Sequence, residues 1–209
     1  MLHDFRSRIT ITKLKKAESA LSQAFMLIAE ENGGSLAGLF TDGTGIGDLG
    51  NIMPLLSTKL VFIKACRDNW GDICMSGHAN LWNLLYTRDL TSALGTSSEG
   101  VMADGTYIRV ILSDTNCAAV NYKINGVGVA CGMIYVFTTT KNVADSSNNL
   151  VLGRDFFAFH FIKDGRVIVY GGPSSNENIS NGWCDVTQDR MFQGIACTYK
   201  VFMTDTINY

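Results

Sequence analysis

The chain has 209 residues, of which 46% are hydrophobic and 17% charged, with a net charge of −2. That balance excludes a disordered chain, and it supplies no global field for nucleic acid or an anionic membrane, so no nucleic-acid partner is expected. No window of about eighteen apolar residues occurs, which leaves neither a bilayer-spanning segment nor a secretory signal to be read.

The first element is an amphipathic helix over residues 12–33, TKLKKAESALSQAFMLIAEENG. Leu14, Ala17, Leu21, Ala24, Phe25 and Ile28 recur at three-and-four spacing and gather on one face. Thr12 is placed to cap its start, and Asn32-Gly33-Gly34 tolerates the left-handed backbone that ends a helix. Arg6, Arg8, Lys13, Lys15 and Lys16 form a basic collar at its first turns, with no acid among residues 6–16. The collar reads either as a solvated helix face or as a segment lying just outside a membrane.

Gly45-x-Gly47-x-x-Gly50 matches the dinucleotide fingerprint literally, but a helix precedes it, Pro54 follows and no strand–helix alternation appears, so it reads as loop. From residue 48 to 64, Leu49, Ile52, Met53, Leu56, Leu60 and Ile63 again repeat at helical spacing and predict a second, shorter helix ending near Cys66. RDNWGDICMSGHANLWNLL, beginning at residue 67, is rich in Gly, Asp and Asn and reads as a loop.

From about residue 100 the texture becomes β. Asp104-Gly105 supplies a turn before the alternating run Tyr107–Leu112, CGMIYVFTTT forms another strand, and Phe157, Phe159 and Phe161 share one face of a third. Asp164-Gly165 then turns the chain back through Val167 to Tyr170. GIACTYKVFM, residues 194–203, predicts a last strand with Cys197, Tyr199 and Val201 on one side. Helix first and antiparallel strands afterwards is an α+β order.

The six cysteines, Cys66, Cys74, Cys117, Cys131, Cys184 and Cys197, fall in three local couples. Six cysteines allow fifteen full pairings, of which closure of the short loops 66–74, 117–131 and 184–197 is the simplest. Such bridges persist in oxidising compartments and place the chain outside the cytosol. A zinc site using Cys66, Cys74 and His78 lacks any Cys-x-x-Cys element. A catalytic cysteine paired with His78 or His160 leaves five thiols to explain, and His160, alternating with phenylalanines, reads as a half-buried strand residue. The polar loop 138–155 offers Asp145 and Asp155 to calcium, without the EF-hand spacing. Asn178-Ile179-Ser180 is a glycosylation sequon that carries weight only in a secreted chain. No nucleophile elbow, paired carboxylates or phosphate loop appears, so neither an enzyme nor a cofactor is expected.

ITITKLKKAESALSQAFMLIAEENG closely resembles the exposed half of the N-terminal helix of bacterial type IV pilin-like proteins, the prepilin and type II secretion pseudopilin family. GVMADGTYIRV, CGMIYVFTTTKN, LGRDFFAFHFIKDGRVI and GIACTYKVF are similar, in sequence and order, to the sheet half of large minor-pilin-like members. The resemblance covers most of the chain. It implies one domain over residues 1–209: an N-terminal helix through residue 34, a helix-and-loop region over 35–100 and an antiparallel sheet region over 101–209. Leu14, Ala17, Leu21, Phe25 and Ile28 are then the face packed on that sheet. It also implies a non-enzymatic structural subunit of a type IV pilus or type II secretion-like filament, extracellular, at the cell surface or periplasmic, with other such subunits as partners. The family's apolar half-helix, its leader and its cleavage and methylation site have no counterpart here, and the expectation is a trimmed chain whose full-length form anchors in the membrane. The alternative reading is a filament-tip adhesin binding glycan, surface protein or DNA through the loops 41–51, 138–155 and 171–183, with Trp70, Trp82 and Trp183 as stacking surfaces.

Overall fold

A computed structural model describes residues 2–40, 52–66, 79–90, 97–118, 123–124, 127–139, 141–143 and 145–207. Three helices and nine strands make up its elements: α1 (Leu2–Glu31), α2 (Ile52–Ser57), β1 (Phe62–Cys66), β2 (Asn80–Trp82), β3 (Ser98–Met102), β4 (Tyr107–Leu112), β5 (Lys123–Ile124), β6 (Gly128–Phe137), β7 (Asn149–Val151), β8 (Phe156–Ile162), β9 (Val167–Val169) and α3 (Cys197–Thr204). Seven strands form an antiparallel sheet in the order β1-β3-β4-β6-β8-β9, with β5 also paired to β6, while β2 and β7 form a separate parallel pair. The fold is α+β.

The sheet is buried on both faces. Ile108 and Val110 of β4, Ile134 and Val136 of β6 and Phe157, Phe159 and Phe161 of β8 share a cluster with Leu14, Ala17, Leu21, Ala24, Phe25 and Ile28 of α1. Phe25 stacks on Phe161 with ring centroids 4.7 Å apart. The opposite face carries Tyr107, Tyr135, Phe137, Phe156 and Ala158, covered by Leu150, Leu152, Tyr170 and Ile195 from the connecting segments. This double cover explains the near-continuous apolar run of β8, every residue of which is buried.

Three expectations need correction. α1 begins at Leu2, ten residues before Thr12, because nothing in LHDFRSRITI breaks a helix. Thr12 is therefore no cap, and its hydroxyl donates to the Arg8 carbonyl one turn back at 2.8 Å. Within the described part of 48–64, which leaves Leu49 outside, the predicted helix is limited to α2, and Phe62–Cys66 is instead a strand that antiparallel pairing with β3 draws to the sheet edge. Ile63, assigned to a helical stripe, is 67% exposed there. The third error concerns residues 197–204, which are helix α3 rather than a strand. Its buried residues, Cys197, Thr198 and Val201, follow helical and not alternate spacing. β-Propensity loses here because α3 fills the site beside the part of β8 that β9 no longer pairs, where the Ala158 N–H donates to Thr198 Oγ1 at 2.9 Å.

The helix ends as expected, with Gly33 and Gly34 at φ 68° and 86°. Just beyond it the Leu36 N–H donates to the Lys163 carbonyl at 2.7 Å, so the β8–β9 turn grips the end of α1. At that turn Gly165 has φ 85° and so little clearance that a Cβ there would meet the Phe25 carbonyl oxygen at 2.5 Å. Gly105, in the β3–β4 turn, has φ 81° but open space around it.

These two turns give an internally controlled prediction. Gly105→Ala is expected to cost only the left-handed penalty, about 1–2 kcal/mol, whereas Gly165→Ala costs clearly more because it also pushes against α1. Chemical denaturation of both variants measures the difference, and equal costs would remove the turn from the helix-docking contact. Phe25→Asp is expected to undock α1, lowering helicity and broadening the melt; a variant with unchanged helicity and a cooperative transition would contradict this packing.

Candidate functional site

Two of the three cysteine couples lie wholly within the described residues, and both are bridged: Cys117–Cys131 and Cys184–Cys197, with Cα atoms 4.2 and 4.8 Å apart. Cys117–Cys131 ties the segment after β4 to β6, and Cys184–Cys197 ties the loop after β9 to the start of α3. Cys66 closes β1, while Cys74 falls outside the described residues, as do His78, Trp70 and the glycines of 41–51. Cys117, Cys131, Cys184 and Cys197 are thus held as disulfides and not as thiolates.

The polar loop 138–155 is internally bonded. Asp145 accepts from the N–H and hydroxyl of Ser147 at 2.9 and 2.7 Å, and these bonds hold its carboxyl below the usual carboxylate range. Asp155 accepts from the Val151 N–H at 3.0 Å and faces Lys141 at 3.5 Å, with the Lys141 ammonium also donating to the Asn149 carbonyl. The two acids thus serve different local structures, and among the described residues no group of three metal-ligating side chains converges.

The two described tryptophans, Trp82 at the end of β2 and Trp183 in the connection after β9, are likewise engaged. Trp82 donates from Nε1 to Asn149 Oδ1 at 3.2 Å, across the β2–β7 pair. Trp183 carries the Arg190 guanidinium over its ring at 4.8 Å. Asn178, the sequon asparagine, caps the short 3-10 turn Ile179–Asn181 by accepting from the Asn181 N–H at 3.0 Å and donates to the Ser175 carbonyl at 2.7 Å. Its amide is committed to the fold.

The basic collar is partly neutralised. Lys15 pairs with Asp205 after α3, and Lys16 faces Asp104 at 3.5 Å. Both pairs are exposed, so each contributes little beyond fixing orientation. At the far end of α1, an open hollow of about 540 Å³ is lined by Gln23, Met26, Leu27, Ala29, Glu30, Gly34 and Asp164.

Sequence reasoning missed the polar row buried under the loop face. Glu99, Arg109, Tyr135 and Ala158 sit side by side on β3, β4, β6 and β8. Glu99 and Arg109 are 5% and 7% exposed and lie 3.6 Å apart, and Ser97 bridges them, accepting from Arg109 Nε and donating to Glu99 Oε1 at 3.3 Å. Burial pushes the Tyr135 phenol far above its ordinary value, against a smaller opposing pull from Arg109. The available signal was a single arginine inside the alternating run YIRVIL, on the same face as Tyr107.

The row holds a buried charge pair bridged by a hydroxyl and a buried, neutral phenol. Arg109→Met is expected to destabilise by about 3–5 kcal/mol by stranding the Glu99 carboxylate. The double change with Glu99→Leu should recover most of that loss, and a double-mutant cycle in denaturant reads the coupling. Simple additivity would show that the two side chains do not depend on each other.

No protein-family model matches the chain, and no curated protein or solved structure matches it.

Proposed function

We propose that this chain is the globular part of a non-enzymatic structural subunit of a pilin-like filament, built like a minor pilin or pseudopilin. The observation that carries the reading is the long helix α1, whose Ile11–Ala29 stretch is docked on an antiparallel sheet while its earlier described turns, residues 7–10, carry no buried side chain. In the family that the sequence resembles, a helix of this kind is shared between the globular domain and the filament core. Two disulfides support assembly in an oxidising compartment, cell surface or periplasm. Among the described residues no helix is long and apolar enough to cross a membrane, so anchoring in this reading belongs to an apolar segment ahead of α1. The partners are other subunits of the same kind.

Recognition of glycan, surface protein or DNA at a filament tip is the weaker reading. Trp183 already carries the Arg190 guanidinium on one face of its ring, and Trp82 is fixed through its indole N–H to Asn149.

The test fuses a leader and an apolar helix ahead of Leu2 in a host with a working pilus or type II secretion system. The expected result is leader-peptidase cleavage and recovery of the subunit in sheared filaments. Efficient membrane insertion with neither outcome would reject the proposal.

A further inference from the structure

After β9 the chain leaves the sheet and folds back across its loop face. The Tyr170 N–H donates to the Ala158 carbonyl at 3.2 Å, and Tyr170 and, at the end of the run that follows it, Trp183 pack on the cluster that holds Tyr135, Phe156 and Leu152. The contact that seats this segment is a ring stack: His160 of β8 lies 4.3 Å from Tyr170, with an angle of 29° between planes. His160 is 7% exposed, and its Nδ1 has no hydrogen-bond partner. Behind the stack the Tyr170 carbonyl accepts from the Tyr199 N–H of α3 at 3.1 Å.

The side chains around the imidazole are apolar or neutral. Its neighbours across the ladder are Met133 on β6 and Ile168 on β9, and its diagonal neighbour on β6 is the phenol Tyr135. Facing it from the folded-back segment is Tyr170, whose hydroxyl donates to Glu177 Oε2 at 2.9 Å. Glu177 is thus bonded to the phenol of Tyr170. Of the polar groups around it, only the Gly132 carbonyl favours the charged ring, and it is outweighed by burial.

We propose that the His160–Tyr170 stack is an acid-released latch: a proton on His160 frees Tyr170, and with it the segment of residues 170–183 that it seats, from the loop face of the sheet. The reason is desolvation. Among the described residues no carboxylate forms an ion pair with the imidazole in the closed state, whereas the open state gives a charged ring its hydration shell, so protonation favours opening.

The direction follows from linkage. Burial lowers the His160 pKa from 6.5 to about 4, so the closed state is fully favoured above the ordinary value and loses ground as pH falls from 6.5 towards 4. With the open state titrating normally, the open fraction at pH 5 rises roughly 30-fold over that at pH 7.5. The latch is independent of the filament reading, since it is built entirely inside the fold.

Hydrogen exchange of the intact, disulfide-bonded chain tests it, with protection factors corrected for the pH dependence of intrinsic exchange. Between pH 7.5 and 5, amides of residues 170–183 are expected to lose protection about 30-fold while those of the docked part of α1 keep theirs. His160→Phe, which keeps the apolar stack, and His160→Gln, which keeps a polar but uncharged group, should each abolish the acid response. Glu177→Gln should retain it. An unchanged response in both His160 variants, its loss in Glu177→Gln, or an even loss across α1 and the sheet would each overturn the latch.

Discussion

The structure depends on one contact surface, the stripe of α1 laid against the phenylalanine face of β8. Phe25 on Phe161 is its centre, and Leu14, Leu21 and Ile28 extend it along the helix axis. Buried side chains of this size contribute about 1.5–3 kcal/mol each before ordering entropy is subtracted. A lone helix of this composition is marginal in water, because nucleation is unfavourable and a half-apolar surface has nowhere to go. The sheet has the complementary problem, an exposed wall of Ile108, Ile134, Phe157, Phe159 and Phe161 if α1 is removed. Each surface is therefore the solvent for the other, and the Leu36–Lys163 bond beside Gly165 fixes where along the sheet the helix stops.

Everything on the opposite face is held differently. Among the described residues no long helix covers it; the cover comes from the strand pair β2–β7 and its flanks and from Tyr170, Trp183, Phe192 and Ile195 of the connection after β9. Irregular chain can cover a hydrophobic face only where its backbone polar groups find partners. Asn83 and Gln193 do that work. Asn83 Nδ2 donates to the Arg190 carbonyl, Asn83 Oδ1 accepts from the Thr87 N–H, and Gln193 Nε2 donates to the carbonyls of Gly182 and Asp185. Cys184–Cys197 then ties this loop layer to α3, which itself bonds to β8.

Much of the helix face was legible in the sequence because regular elements announce themselves by period. The spacing from Leu14 to Ile28 and the alternation Phe157, Phe159, Phe161 each carry one dominant signal, and the Asp-Gly turns at 104 and 164 fix where the strands reverse. The errors fall where tertiary context decides between two periods that the residues satisfy equally. Leu56, Leu60 and Ile63 fit a helix, yet the chain turns at Leu60 and β1 takes the sheet edge, with Ile63 facing out. Cys197, Tyr199 and Val201 fit a strand, yet the open flank of β8 accepts a helix that can cap Ala158. The loop face was the least legible, since its cover is made by single long-range hydrogen bonds that leave no periodic trace.

That face also shows two opposite solutions to burying an ionisable group. Arg109 meets Glu99 with Ser97 between them, so charge is retained at depth by pairing and hydrogen bonding. His160, one strand beyond Tyr135 in the same sheet, has no such partner and stays folded by remaining neutral. A paired charge stiffens its surroundings because either proton or partner is costly to remove. An unpaired base does the reverse, tying local order to the proton activity outside. The contrast follows from what lies opposite each residue: Glu99 across the ladder from Arg109, but methionine and isoleucine on either side of His160. The buried stripe of α1, by contrast, is built from hydrocarbon and aromatic side chains alone.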